Sequence, residues 1–451
     1  MKRVRIGNGC GFWGDNLDAP RELAEHGRLD YLTLEYLAEL TMSILALQKQ
    51  RHPEAGYAGD FLDVLQQLTP ILQRQQQLKI ITNAGGMNPH GCAERARTIL
   101  DKAGLSQRRL AIVHGDDLLP RIDELLAQGH AFTNLDTGEP LTAVRDRLVS
   151  VNAYLGCQPI VSALRQGADV VITGRVADAS LTLAPAVHEF GWAWDDWDRL
   201  AAGTVAGHLI ECGAQATGGL WCNWQETDLA LVGYPLADME ANGDFLLTKP
   251  PGSGGAVNRE TVAEQLMYEV GDPAAYLTPD VVADFTSVAL TEIGRDEVRI
   301  TGARGKPATD SYKVSIAYRD GWTSSGTLVL AGPEATMKAR RCGEILFARL
   351  RRAGVEPQHR NIECLGAGDC VPGVSPKADA PEVVLRVTVR DASRAVVERF
   401  TKEFAPLVTS GPPGVTGYTT GRPPVREVFA YWPALVDKSA VVAQMQMIGG
   451  E

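Results

Sequence analysis

Residues 167–178 read Gly-Ala-Asp-Val-Val-Ile-Thr-Gly-Arg-Val-Ala-Asp, and this stretch decides the fold. Asp169 to Thr173 is a short β-branched run with no polar alternation, which suits a strand covered on both faces of a sheet. It stops at Gly174 and Arg175, and an amphipathic helical stretch, Ser180 to Phe190, follows at once. Similar runs precede it at Val4-Arg5-Ile6, Tyr31 to Glu35, Lys79 to Thr82, Arg109 to Val113 and Val149 to Asn152. Helical patterns separate them at Ala19 to His26, Asp60 to Gln76, His90 to Ala103 and Pro159 to Gln166. Repeated β-α-β order with short loops predicts right-handed crossovers and an α/β fold, a mostly parallel layered sheet in the N-terminal part. Six such runs favour an open sheet over an eight-stranded barrel.

The pattern changes near residue 286. Ser287 to Gly302, Ser311 to Tyr318 and Gly326 to Leu330 alternate apolar and polar, as half-exposed antiparallel strands do. A helix at Glu334 to Ala353, strands at Asn361 to Leu365 and Val383 to Val389, a helix at Ala392 to Leu407 and a strand near Val425 to Tyr431 follow. That order predicts a smaller two-layer α+β domain at 286–451 after an α/β domain at 1–285, with turn-rich loops at 366–380 and 411–424.

A chain of 451 residues with 45% apolar and 22% charged residues is an ordinary globular composition. The formal charge of −11 argues against nucleic acid or an anionic membrane surface as partner, since either needs a net basic face. Met1-Lys2-Arg3 is followed only by Val4 to Ile6 before glycines, so no export signal is read and a cytoplasmic location is expected. No run approaches the ~18 apolar residues of a membrane span. The eight cysteines form no Cys-x-x-Cys pair, so scattered reduced thiols are expected.

Open α/β sheets bind ligands at the carboxyl ends of their strands, where loops and helix N-termini converge. Those ends carry Asn8 and Gly9, then Glu35, then Asn83, Gly85 and Gly86. His114, Asp116 and Asp117 come next, then Asn152 with Tyr154, then Arg175 with Asp178. Any one of these alone reads as a cap or turn former; their convergence marks a candidate site. Residues 9–14 match G-x-G-x-x-G, with Glu35 at dinucleotide-fingerprint spacing. Against it, Asp18-Ala19-Pro20 starts the helix beyond the glycines, and Asp15 would set negative charge beside a phosphate.

Lys249, followed by Gly252, Gly254 and Gly255 and a helix opening near Asn258, reads either as a phosphate cradle or as a plain surface turn. His208 and Glu211, three apart on one helix face, suit a base held by a carboxylate, a metal-ligand pair or a surface hydrogen bond. No second matching pair accompanies them, and no metal is assigned. Cys10 lies between glycines at a strand end, where a small residue filling a turn explains it as well as a nucleophile does.

Several long strings resemble the acyclic terpene utilisation AtuA-like family: IGNGCGFWGD (6–15), TNAGGMNP (82–89), VNAYLGCQPIVSAL (151–164), GADVVITGRVADASL (167–181), HLIECGAQATGG (208–219), LTKPPGSGGAV (247–257) and TGYTTGRPPVREVFAYWPALV (416–436). The resemblance spans essentially the whole chain. It implies a place in the breakdown of citronellol- or geraniol-like terpenoids and other branched acids. Longer members carry an extra C-terminal domain, which implies a separate small subunit working with this chain.

The expectation is an enzyme acting on a branched acyl-CoA or its carboxylic acid, by a hydration, lyase or C–C bond step. Lys249 and the glycine loop would hold coenzyme A as part of the substrate, with no other cofactor assigned. Asn8, Gly85, Gly86, Asp116 and Asn152 would shape the substrate site, with Asn83 and the glycine amides donating to an acyl oxygen. Arg175 would pair with a carboxylate, and Asp178, Glu35 or His208 with Glu211 would move the proton. The alternatives are a non-catalytic ligand-binding or scaffold subunit and a nicotinamide-dependent oxidoreductase. A homo-oligomer with a small-molecule substrate is expected.

Overall fold

The computed structural model describes residues 2–371, 373, 380–417 and 421–448. Parts of the two expected loops, 372 with 374–379 and 418–420, lie outside the described residues. The chain divides into two compact units, 1–317 with 431–451, and 318–430.

The first unit is built on one large sheet. Its strands are β1 (Arg3–Asn8), β2 (Tyr31–Leu34), β3 (Lys79–Thr82) and β4 (Leu110–His114). After β5 (Leu148–Ala153) come β6 (Val170–Thr173), β7 (Leu236–Glu240) and β8 (Phe245–Thr248). The short strands β9 (Tyr276–Leu277) and β10 (Val282–Asp284) follow, then β11 (Ala289–Gly294), β12 (Glu297–Thr301) and β13 (Arg304–Lys306). The later strands are β14 (Ser311–Ala331), β15 (His359–Leu365), β16 (Glu382–Asp391), β17 (Val415–Thr416), β18 (Arg426–Asp437) and β19 (Gln444–Ile448). The large sheet runs β11-β12-β8-β7-β1-β2-β3-β6-β4-β19. Pairings among β1, β2, β3, β6 and β4 are parallel. Those that attach β7, β8, β12, β11 and β19 are antiparallel.

The sheet is therefore mixed, and the expectation of a mostly parallel one is corrected. An all-apolar run reports burial on both faces but not the direction of the neighbouring strand. The strand at 149–152 shows this: β5 is almost wholly buried, yet it pairs with β14 rather than with the large sheet. The alternating strands β11 and β12, which lie past the change of pattern at 286, continue the large sheet through Val298↔Leu247 and Ile300↔Phe245.

The helices of this unit are α1 (Ala19–His26), α2 (Glu39–Arg51), α3 (Asp60–Arg74), α4 (Pro89–Lys102) and α5 (Ile122–Ala127), then α6 (Gln158–Arg165), α7 (Ser180–Phe190), α8 (Trp197–Glu211) and α9 (Arg259–Met267). Helices α1, α3 and α4 form one layer, and α6, α7 and α8 another. Alternate strand residues Leu32, Leu34, Ile80, Ile112 and Ile172 share a core with Phe61, Leu65, Leu68 and Ala96. The period of two along each strand sends the intervening residues, such as Thr33 and Val171, to the opposite face. Helix starts follow local chemistry: Asn88 accepts from Gly91 N–H at α4, with Pro89 in the first turn, and Asn258 accepts from Thr261 N–H at α9. At α1 the chain turns helical at Ala19 as expected, but the Asp18 side chain makes no cap bond.

In the second unit, the later part of β14 lies between β16 and β17, with β15 beyond β16, all antiparallel. Helices α10 (Ala335–Arg352), α11 (Arg394–Thr401) and α12 (Leu407–Ser410) accompany this sheet. Leu328, Leu330, Leu385 and Val387 meet Ala339, Leu346, Leu350, Phe400 and Phe404 in a single core. No helix among the described residues is long and apolar enough to cross a membrane.

Candidate functional site

The carboxyl ends of β2, β3 and β6 converge on the Arg175 side chain. Arg175 is about as buried as any charged group in the chain, at 1% exposure. Its guanidinium donates to Asp178 Oδ1 at 2.7 Å and to the Leu37 carbonyl at 3.1 Å, and it stands 3.7 Å from Glu35 Oε1. Its Nε has no partner. Glu35, just past β2, is held by donors on one oxygen only: Asn83 Nδ2, and Leu37 N–H at 3.0 Å, both point to Oε1. Oε2 is buried and unpartnered. Asn83 is itself fixed, because its Oδ1 accepts from Tyr36 N–H at 2.8 Å.

This arrangement drives two carboxyls away from their ordinary behaviour. Burial and the Asp178 charge push Glu35 well above the carboxylate range, against the opposing pull of Arg175 and Asn83. Glu35 is therefore a carboxylic acid at neutral pH. Burial also raises Asp178; Arg175 opposes it while the Glu211 and Glu39 charges add to it, leaving Asp178 at about 6. Unlike Glu35, the Asp178 side chain is one-third exposed, at 34%. One carboxyl is kept protonated and enclosed, the other is ionised and open. Such separation is the usual mark of an acid and a base assigned to different tasks.

A second layer of charge leads outward from Arg175. The Tyr154 ring lies 4.1 Å from the guanidinium carbon on one side and 4.8 Å from Lys313 Nζ. Tyr154 Oη donates to Glu39 Oε1 at 2.8 Å, and Lys313 Nζ reaches the same oxygen at 3.3 Å. Burial works against ionising Glu39, but the Lys313 and Arg175 charges outweigh it and hold the carboxyl at about 2. Tyr431 lies close enough for the Lys313 charge to act on its hydroxyl. Lys313 is nearly half exposed, so it offers an accessible cation above a buried one. Sequence reading passes over Glu39, Lys313 and Tyr431. Lys313 sits in an alternating strand remote from the others, and only the Tyr154 N–H to Lys313 carbonyl bond at 2.9 Å brings it here.

Other residues named from the sequence support this site rather than line it. Asn8 Nδ2 donates to the carbonyls of Cys10, Ile210 and Glu211 at 2.8–2.9 Å, and its Oδ1 accepts from Thr33. It ties β1 to the end of α8, with its polar atoms engaged. Asp116 Oδ2 accepts from Asn152 Nδ2 at 2.8 Å and from Arg175 N–H at 2.9 Å, so Asp116 and Asn152 set the backbone from which Arg175 projects. Burial raises Asp116 to about 7. Gly86 has φ +49°, and its N–H donates to the Asn83 carbonyl. At Gly85 a Cβ would stand 2.6 Å from the Thr173 carbonyl oxygen, so only glycine lets the turn after β3 lie against β6.

The remaining candidates lie elsewhere. Lys249 is buried, donates to the Ser253 carbonyl at 2.8 Å and pairs with Asp296 at 3.1 Å. The N–H groups of Gly254 and Gly255 go to the Leu231 and Asp228 carbonyls. Gly252 borders a cleft of about 410 Å³ whose other walls include Asp18 and Glu22, a poor setting for phosphate. The fingerprint glycines pack inward: a Cβ on Gly11 would stand 2.7 Å from the Cys212 and Gly213 backbone, and Gly11 N–H is taken by Asp15. Cys10 is buried, and burial first of all pushes its thiol well above the ordinary range. His208 and Glu211 contact each other at 3.2 Å on α8. Among the described residues, no group of three or more His, Cys, Asp or Glu side chains is placed to hold a metal ion.

No curated protein and no solved structure matches the chain. A family model does match, over residues 4–447, which takes in every residue of the Arg175 site. The chain belongs to the acyclic terpene utilisation family AtuA.

Proposed function

We propose that this protein is an enzyme of acyclic terpenoid or branched-acid catabolism that moves a proton on an acyl-CoA or carboxylic acid substrate. Membership of the family supplies the role in acyclic terpene utilisation. The observation that carries the chemical reading is the Asp178–Arg175–Glu35 constellation, in which one buried cation joins an open carboxylate to an enclosed carboxylic acid.

Asp178 is the base. With its proton affinity near neutrality it takes a proton from a carbon next to the acyl carbonyl, or from a water or hydroxyl in a hydration or lyase step. Glu35 is the acid. Its proton has no acceptor among the protein groups around Oε2, so a substrate oxygen is the natural recipient. Arg175 offsets the negative charge that builds on that oxygen, in surroundings where such charge is poorly screened. Asn83 orients Glu35, and Lys313 with Tyr154 anchors the anionic or carbonyl end of the substrate from the open side. The proton leaves carbon or water for Asp178, and Glu35 delivers one to oxygen, so charge balances over the step.

The test uses the full chain in a strain that lacks its own copy and grows on an acyclic terpenoid acid. Asp178→Asn and Glu35→Gln should abolish growth. Purified protein incubated in heavy water with branched acyl-CoA esters and free acids should place deuterium beside the carbonyl only when Asp178 is intact. Undiminished growth with both residues replaced would sink the reading and favour a scaffold role.

A further inference from the structure

Behind Asp178 stands a second acid–base pair, enclosed between α8 and α9. His208 is 2% exposed. Its Nδ1 lies 3.2 Å from Glu211 Oε1, and its Nε2 lies 3.0 Å from the Gln265 carbonyl oxygen. Gln265 Nε2 returns a bond to the His208 carbonyl at 2.9 Å, which locks the ring between the two helices. A neutral imidazole carries one N–H and satisfies one acceptor. Here both ring nitrogens face oxygen, and a backbone carbonyl can only accept. The ring is therefore doubly protonated opposite a carboxylate. The Tyr276 and Phe285 rings flank it at 5.4 and 5.2 Å, and their faces favour a cation. Burial alone would discharge the imidazole, but the bonds to Glu211 and to the α9 backbone outweigh it and raise its proton affinity.

The other end of the pair is the informative one. Glu211 Oε2 is buried and has no hydrogen-bond partner, an arrangement that costs stability and therefore calls for a reason. The Glu211 charge acts on Asp178, on Tyr276 and on Cys212. We propose that His208 and Glu211 are positioning residues for the proton chemistry: a buried ion pair that keeps a carboxylate charge beside Asp178 and so tunes its proton affinity. This rests on reading Asp178 as the base. His208 holds Glu211 ionised where an unpaired carboxylate would take up a proton, and the ionised Glu211 makes Asp178 a stronger base than Arg175 alone would leave it. The groups that face the pair are Cys212 at the end of α8, the Gln265 carbonyl from α9, Tyr276 from β9, Phe285 beyond β10, and Asp178 with its partner Arg175 before α7.

The charge states are read by NMR on the full chain, without turnover, so this proposal and the assigned reaction fail separately. With ¹⁵N-labelled histidine, His208 should show two protonated ring nitrogens at pH 7. With ¹³C-labelled aspartate carboxyls, the Asp178 signal is identified by its loss in Asp178→Asn. In Glu211→Gln its titration midpoint should fall by about one pH unit. Phe285→Leu alters the packing around His208 but no charge, and should leave that midpoint in place. A singly protonated His208 ring in the unaltered protein overturns the proposal without any variant having to fold. An Asp178 midpoint unmoved in folded Glu211→Gln, or moved equally by Phe285→Leu, overturns it as well.

Discussion

Two glycine-rich turns in this molecule look alike as sequence and differ in what they do with their polar atoms. Thr82 to Pro89 and Lys249 to Gly255 each follow a strand, carry close-set glycines and precede a helix with an asparagine cap. In the second, Lys249 is matched by Asp296 and by the Ser253 carbonyl, and the Gly254 and Gly255 amides are bound within the chain. That loop is complete by itself. The first turn feeds Asn83 into a constellation where Glu35 Oε2 and Arg175 Nε are buried without partners and two carboxyls sit far from their ordinary proton affinity. Folding does not leave such groups unmatched where they serve only stability. Incomplete satisfaction, more than glycine density or charge, separates the functional turn from the structural one.

The comparison breaks most readily at Arg175. Arg175→Ala leaves Asp178 and Glu35 without their cation, and unfolding by urea should show a loss of about 3–5 kcal/mol together with loss of growth on terpenoid acid. Next in size, Asp178→Asn should keep the fold while proton exchange on substrate falls by roughly 10²–10⁴-fold. A drop below tenfold would move the base elsewhere.

The third test concerns pH. Asp116 has its folded proton affinity raised to about 7, so the folded chain keeps a proton that the unfolded chain loses near pH 4. A raised carboxyl is a penalty that grows as pH climbs from the unfolded value through the folded one, so stability should fall between about pH 4 and 7 by on the order of a few kcal/mol. Asp116→Asn, which keeps an acceptor for Asn152 and Arg175 N–H, should flatten that slope in urea titrations at pH 5 and 8. A slope unchanged in the variant would assign the loss to other groups. The smallest effect is expected at the complete loop. Lys249→Met should cost about 1–3 kcal/mol from the loss of a buried pair and leave growth on terpenoid acid unaltered. If Lys249→Met stays folded but abolishes growth, the glycine loop regains a part in substrate binding.

Much of the site was legible from chemistry at strand ends. Glu35, Asn83, Arg175 and Asp178 are brought together because parallel β2, β3 and β6 are neighbours in the sheet and end on the same side. Asn8, Asp116 and Asn152 share that edge but are turned into backbone supports, which residue type alone does not reveal. Glu39, Lys313 and Tyr431 left no local signal, since their role comes from distant segments meeting around Tyr154.

The amino-acid sequence by itself determined the family, the layered α/β character of the first half and the strand ends at which polar groups collect. These follow from local periodicity and from turn residues, which act over a few positions of the chain. Only the tertiary structure decided that the large sheet is mixed, that β5 leaves it, and that Lys249 is already paired while Glu35 and Arg175 are not. Strand direction and hydrogen-bond satisfaction depend on which segments become neighbours after folding, and apolar patterning carries no record of that choice.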